Sequence, residues 1–118
     1  MNNRKVGAAY ENMACNYLIK NGYRIRERNF RVRQAELDIV AEDGGTLVFC
    51  EVKYRNNEKK GNPLDAVDGK KQRQISKAAL FYMNCRRIDP YACSIRFDVI
   101  GILGTDIRHI KNAFDFTM

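Results

Sequence analysis

The chain has 118 residues, 45% of them apolar and 30% charged, which excludes a mainly disordered or collagen-like chain and leaves room for one packed domain over 1–118. Lys and Arg outnumber Asp and Glu by 21 to 14, for a net charge of +7 and a pI near 9.4, so a polyanion, nucleic acid first, is the expected partner. A membrane is not expected as partner, because no helical stretch sets a Lys-rich face against a bulky apolar one and Trp is absent.

Apolar residues at Val6, Tyr10, Met13, Ala14, Tyr17 and Leu18 recur at helical spacing and predict a first helix over 4–20, stopped by Asn21-Gly22. Three short strands are expected over 23–31, 35–41 and 46–54, with Asp43-Gly44-Gly45 as the hairpin turn between the last two. Residues 56–62 read as a polar loop, and Pro63 suits the first turn of a second helix over 63–85, with Leu64, Val67, Ile75, Ala78, Ala79 and Tyr82 as its apolar stripe. A strand over 94–103 and a last one near 107–111 complete an α/β sandwich.

Cys15, Cys50, Cys85 and Cys93 form no C-x-x-C pair and His109 is the only histidine, so neither a zinc site nor a thioredoxin-type motif is indicated. No apolar run of signal-peptide length follows the first residues, and no window approaches the ~20 apolar residues of a membrane span. The expected compartment is the cytoplasm, with reduced thiols.

The strand around Thr46–Arg55 carries the chemistry. Leu47 and Phe49 make one face apolar while Val48, Cys50 and Val52 make the other so, yet Glu51 and Lys53 continue the Leu47 and Phe49 face. In the preceding strand Glu36 and Asp38 are expected to share a face with Val40, opposite Leu37 and Ile39. The hairpin lets Asp38 approach Glu51, and two carboxylates brought together need a proton or a cation between them. An oxygen-rich site suits Mg²⁺ or Mn²⁺, with Asp38, Glu51 and the Val52 carbonyl as ligands and Lys53 beside the reacting phosphate. The alternative is a Glu51–Lys53 ion pair with Asp38 held by a surface Arg.

Asp38 followed by Glu51-Val52-Lys53, behind a helix bearing Glu11, resembles the PD-(D/E)xK nuclease superfamily. Over nearly the whole chain the sequence is similar to the small bacterial YraN-type proteins, through Gly7 and Glu11, Arg28-Asn29-Phe30-Arg31, Glu36-Leu37-Asp38, Val48 to Arg55, Ala66-Val67, Lys71-Gln72, Arg96-Phe97-Asp98-Val99 and Ile110 to Phe114. Tyr10 and Ala35 stand where that family usually has glycine. The resemblance implies a restriction endonuclease-like three-layer sandwich with a mixed sheet, similar to archaeal Holliday-junction resolvases. It also implies a nuclease-like activity without supplying its substrate; the expected function is a metal-dependent endonuclease, with branched or flapped DNA as its substrate, and the alternative is an adaptor in recombination or repair that binds without cutting. A homodimer is one arrangement it allows, since two cuts need two sites, although no interface is marked in the sequence.

Glu11 lies at the edge of the first helix's buried stripe, facing either the sheet, where it binds a second metal or its water, or solvent. Lys71 and Gln72 resemble the auxiliary Lys or Gln of such nucleases, the alternative for Lys71 being a stem that reaches solvent. Arg24 and Arg26 punctuate the first strand, and Arg28, Arg31, Arg33, Arg55, Lys59 and Lys60 are expected to flank a nucleic-acid backbone. With no dense aromatic platform in the sequence, base stacking is not expected.

Overall fold

The computed structural model describes residues 3–33, 35–55 and 63–118. Helix α1 occupies Asn3–Lys20. It stops as expected, because Gly22 turns to a φ of 89° and the Tyr23 N–H closes back on the Leu18 carbonyl at 2.9 Å.

Strands β1 (Arg24–Val32), β2 (Ala35–Asp43) and β3 (Thr46–Arg55) form an antiparallel meander. Asp43 pairs with Thr46 across Gly44-Gly45, where Gly44 takes a φ of 62°. The chain then crosses the sheet and returns as β4 (Ser94–Leu103), parallel to β3, and β5 (Asp106–Phe114) pairs antiparallel with β4. The result is one mixed sheet in the order β1-β2-β3-β4-β5. The last strand exceeds the expected 107–111 at both ends.

The second helix does not begin at Pro63. Pro63–Ala66 forms a 3-10 turn, and α2 occupies Gly69–Cys85. Between them Asp68 is extended, with a ψ of −179°, and its carboxylate accepts the Lys71 N–H at 2.9 Å. An N-cap of this kind ends one segment and starts the next.

The two helices cover opposite faces of the sheet. Under α2 lie Leu37, Val40, Leu47, Phe49, Phe97 and Val99, packed against Ile75, Ala79 and Tyr82. Under α1 lie Ile39, Ala41, Val48, Cys50, Val52 and Ile100, packed against Ala14, Cys15 and Leu18. β3 therefore buries both its faces, as its unbroken apolar run requires. Among the described residues no helix is long and apolar enough to cross a membrane.

One expectation about β2 is corrected. Leu37 and Ile39 do not share a face: Leu37 packs with Val40 under α2, and Ile39 packs with Ala41 under α1. The same reversal occurs on β1, where Arg28 pairs with Glu11 of α1 while Phe30 meets Tyr82 of α2 edge-on. Asn29, between them, has a φ of 54°. A residue in the left-handed region interrupts the pleat, so the two-residue alternation restarts with the faces exchanged. Pairing of β2 with β3 also stops here, at Ile39 opposite Cys50.

Candidate functional site

Beyond the end of that pairing the Asp38 side chain takes up a backbone donor of β3. Its Oδ2 accepts the Val52 N–H at 2.8 Å. The carboxyl is pushed up to about 8, chiefly by burial and then by the charge of Glu51, with which it also shares a hydrogen bond; the Val52 N–H works the other way. Asp38 and Glu51 thus meet, as the hairpin geometry predicted.

Glu51 is buried, at 5% exposure, and two cations attend it. Lys53 Nζ, two residues along β3, and Lys71 Nζ, from the first turn of α2, each lie 3.4 Å from Glu51 Oε2. The Glu51–Lys53 pair is therefore present, and Lys71 is directed at the site rather than solvent. No Arg holds Asp38 among the pairs that the described residues form; its neighbours are carboxylates. Lys71 is delivered by the Asp68 cap, which fixes the first turn of α2 at the Lys71 N–H.

A second group of acids converges on the same carboxylate. Glu11 from α1 and Glu36 and Asp38 from β2 each offer an oxygen, all within 4.8 Å of one another. Glu11 faces the sheet. Glu36 is the member that sequence reasoning left out of the site, although a carboxylate two residues before Asp38 on a strand was visible. Arg28 NH2 lies 3.6 Å from Glu11, and Arg31 Nε lies 3.3 Å from Glu36. Among the described residues the buried Arg28 Nε meets no hydrogen-bond partner, so within them this guanidinium is incompletely satisfied. The three carboxylates of this group are hard oxygen donors whose chemistry fits Mg²⁺ or Mn²⁺, while Glu51 stands outside it with Lys53 and Lys71 on its Oε2.

Of the remaining expected site residues, all but Val52 fall elsewhere. Gln72 Nε2 donates to the Val67 carbonyl at 3.0 Å, so its amide ties the 3-10 turn to α2. Val52 meets Asp38 through its N–H. Arg55 donates to the Tyr54 carbonyl at 2.9 Å. Arg24 and Arg26 both reach Glu42, at 3.2 and 2.6 Å. Arg33 is exposed beside α2, and Lys59 and Lys60 lie outside the described residues.

Sequence reasoning missed a second polar centre. Asp98, with a side chain at 0% exposure, receives Arg96 Nε at 2.8 Å and the Asn112 N–H at 3.0 Å, and contacts His109 Nε2 at 2.7 Å. His109 Nδ1 in turn meets the Tyr17 hydroxyl at 3.0 Å, which ties α1 to β5. Burial pushes the Asp98 carboxyl up, but His109, Arg96 and the Asn112 N–H outweigh it and hold the group at about 2. An acid between Phe97 and Val99 in an apolar strand was the available signal. As all its partners are internal, the network pins β4, β5 and α1 together.

A family model described as uncharacterised protein family UPF0102 matches residues 10–102. The chain belongs to this family. The matched span of UPF0102 contains Glu11, Glu36, Asp38, Glu51, Lys53 and Lys71. A UPF0102 protein of Lachnoclostridium phytofermentans is 48% identical over 115 residues, covering 98% of this chain and 97% of its own. One from Persephonella marina is 48% identical over 109 residues, with 92% of each chain covered. A third, from Geobacter metallireducens, is 48% identical over 120 residues, covering 98% of this chain and 96% of its own.

Proposed function

We propose that this UPF0102 protein is a metal-dependent endonuclease of the PD-(D/E)xK type that hydrolyses phosphodiester bonds in branched or flapped DNA in the cytoplasm. The observation that carries the reading is the meeting of Asp38 with Glu51, with Lys53 3.4 Å from the latter. The mixed sheet with one helix on each face agrees with the restriction endonuclease-like sandwich that the motif implies.

In this reading Asp38 and Glu51 hold Mg²⁺ or Mn²⁺, the Val52 carbonyl adds a ligand, and Glu11 and Glu36 supply further oxygens. The ion, when bound, supplies Lewis acidity toward a phosphoryl oxygen and lowers the pKa of a water. Lys53 offsets charge developing on the phosphate. Lys71 holds Glu51 in place, which makes it a positioning residue. Asp38, protonated near neutral pH without a cation, gives up that proton when one binds.

A second reading is an adaptor that binds nucleic acid and cuts nothing. It draws on Lys53 and Lys71, which together already compensate the Glu51 charge. Incubation with duplex, single-stranded, flap and four-way-junction DNA in Mg²⁺, Mn²⁺ or EDTA separates the two. Cutting that needs the metal and is lost in Asp38→Asn and Lys53→Ala supports the nuclease. Cutting that survives EDTA or both substitutions overturns the mechanism, and binding without cutting favours the adaptor.

A further inference from the structure

Most arginines along β1 are already engaged by carboxylates. Arg24 and Arg26 meet Glu42, Arg28 meets Glu11, and Arg31 meets Glu36. A different set of cations is left uncompensated. Arg33, Lys70, Arg73 and Lys77 line a groove of about 520 Å³ between the end of β1, the start of β2 and α2, and among the described residues no carboxylate lines it. None of the four makes an ion pair among the described residues.

The groove has an apolar side. Val32 and Ala35 form part of its wall, and Phe81, at 54% exposure, stands at its end. Lys70, Arg73, Lys77 and Phe81 lie at helical intervals on one outer stripe of α2, which spans about 16 Å at ~1.5 Å per residue. The Phe81 ring is steadied by Phe30, with centroids 6.4 Å apart, and leaves most of its surface to solvent.

We propose that this groove binds a single-stranded nucleic-acid segment, with Arg33, Lys70, Arg73 and Lys77 on its phosphates and a base stacked on Phe81. Uncompensated cations beside one exposed aromatic match a strand whose bases are free to stack. A duplex keeps its bases from such a ring, and the carboxylates of an acidic peptide do not stack on it. The groove and the acids are neighbours along the chain: Ala35 precedes Glu36, and Lys70 precedes the Lys71 that touches Glu51. The inference rests on the nucleic-acid reading of that site, but does not require cutting.

Anisotropy of a labelled single-stranded oligonucleotide, titrated in EDTA over a range of salt, tests it. Four phosphate contacts predict a log–log salt slope near −3, from about −0.7 per contact on a single strand. Lys70→Glu/Arg73→Glu is expected to reduce the slope to about −1.4, whereas Lys20→Glu/Arg108→Glu, with the same change in net charge, leaves it within experimental error. Phe81→Ala should weaken binding roughly 5- to 100-fold, the loss of one stacked base, with Phe81→Tyr retaining it and duplex affinity changing less than twofold.

Equal losses from the two charge-reversed pairs overturn the proposal, as does polyglutamate competing as well as the oligonucleotide at equal charge. A wild type that binds through the groove but never cuts keeps this inference and removes the nuclease. A wild type that cuts, with groove variants that bind normally, does the reverse.

Discussion

The Asp38 carboxylate occupies the place where β2 would have continued its pairing with β3, accepting the Val52 N–H at 2.8 Å just past the Ile39–Cys50 pair. One side chain therefore closes the ladder and brings a carboxyl to Glu51.

Asp38→Asn keeps an oxygen for the Val52 N–H and removes the charge. The folded carboxyl sits at about 8, above the ~3.9 of an unfolded Asp, so the native state holds the extra proton between these values. The Asp38 contribution to stability is then greatest below pH ~4 and falls as pH rises toward 8. In EDTA the Asn variant should melt higher than wild type at pH 8, by roughly 2–8 °C for a gain of about 1 kcal/mol, with the curves converging near pH 4. Mg²⁺ should raise the wild-type melting temperature and leave the variant unmoved. A variant less stable than wild type at pH 8 contradicts this account.

Lys53 and Lys71 share one oxygen of a Glu51 side chain that is 6% exposed. Either lysine alone still compensates that charge, but Lys53→Met/Lys71→Met leaves it buried and unpaired, at a cost of about 3–5 kcal/mol. Urea denaturation of the four-member cycle should show a coupling above ~0.5 kcal/mol. Additive losses would mean that the two cations act separately. On the nuclease reading Lys53→Met also lowers the cleavage rate by at least ~100-fold, and Lys71→Met lowers it less.

Asn29 tests the exchange of faces. At a φ of 54°, Asn29→Gly should be neutral within ~0.5 kcal/mol, whereas the β-branched Asn29→Val should cost more than about 1 kcal/mol. The Val variant should also weaken Mn²⁺ binding, because Arg28 and Asp38 flank the kink. Thermal melts and a Mn²⁺ titration read the two effects, and a Val variant with wild-type values for both would show the kink to be incidental.

Asp98 should govern the acid limb. Its folded carboxyl lies at about 2, below the unfolded value of ~3.9, so its stabilisation is complete above pH ~4 and is lost as pH falls toward 2. Asp98→Ala removes one of the two carboxylates on Arg96, leaving Asp43, and orphans the Asn112 N–H, so a loss of about 1–3 kcal/mol at pH 7 is expected. The variant's stability should then change less than wild type's between pH 4 and 2. An urea midpoint within error of wild type at pH 7 would remove the network from the fold's support.

The parts legible in sequence were those set by local chemistry. Asn21-Gly22 and Gly44-Gly45 marked turns, and the unbroken apolar run of β3 marked a strand covered on both sides. Glu51 and Lys53 were conspicuous because they interrupt that run. The β2 faces were misassigned because counting by twos assumes a continuous pleat, and the residue that breaks it, Asn29, is on the neighbouring strand. Pro63 suited a helix start, but the turn it opens is 3-10 and α2 starts only after the Asp68 cap. The β1 arginines looked like a binding stripe until Glu11, Glu36 and Glu42 came into contact with them from α1 and β2. Such pairings depend on tertiary approach, which no spacing along one strand displays.

The parallel joining of β3 to β4 also orders the site in time. Asp38 and Glu51 meet through a hairpin, a short loop that closes early, whereas Lys71 arrives only when the long excursion through α2 has been laid across the sheet. A partly folded chain with the meander alone would hold its acids together with one lysine missing, so refolding should restore strand pairing before it restores the fully neutralised centre.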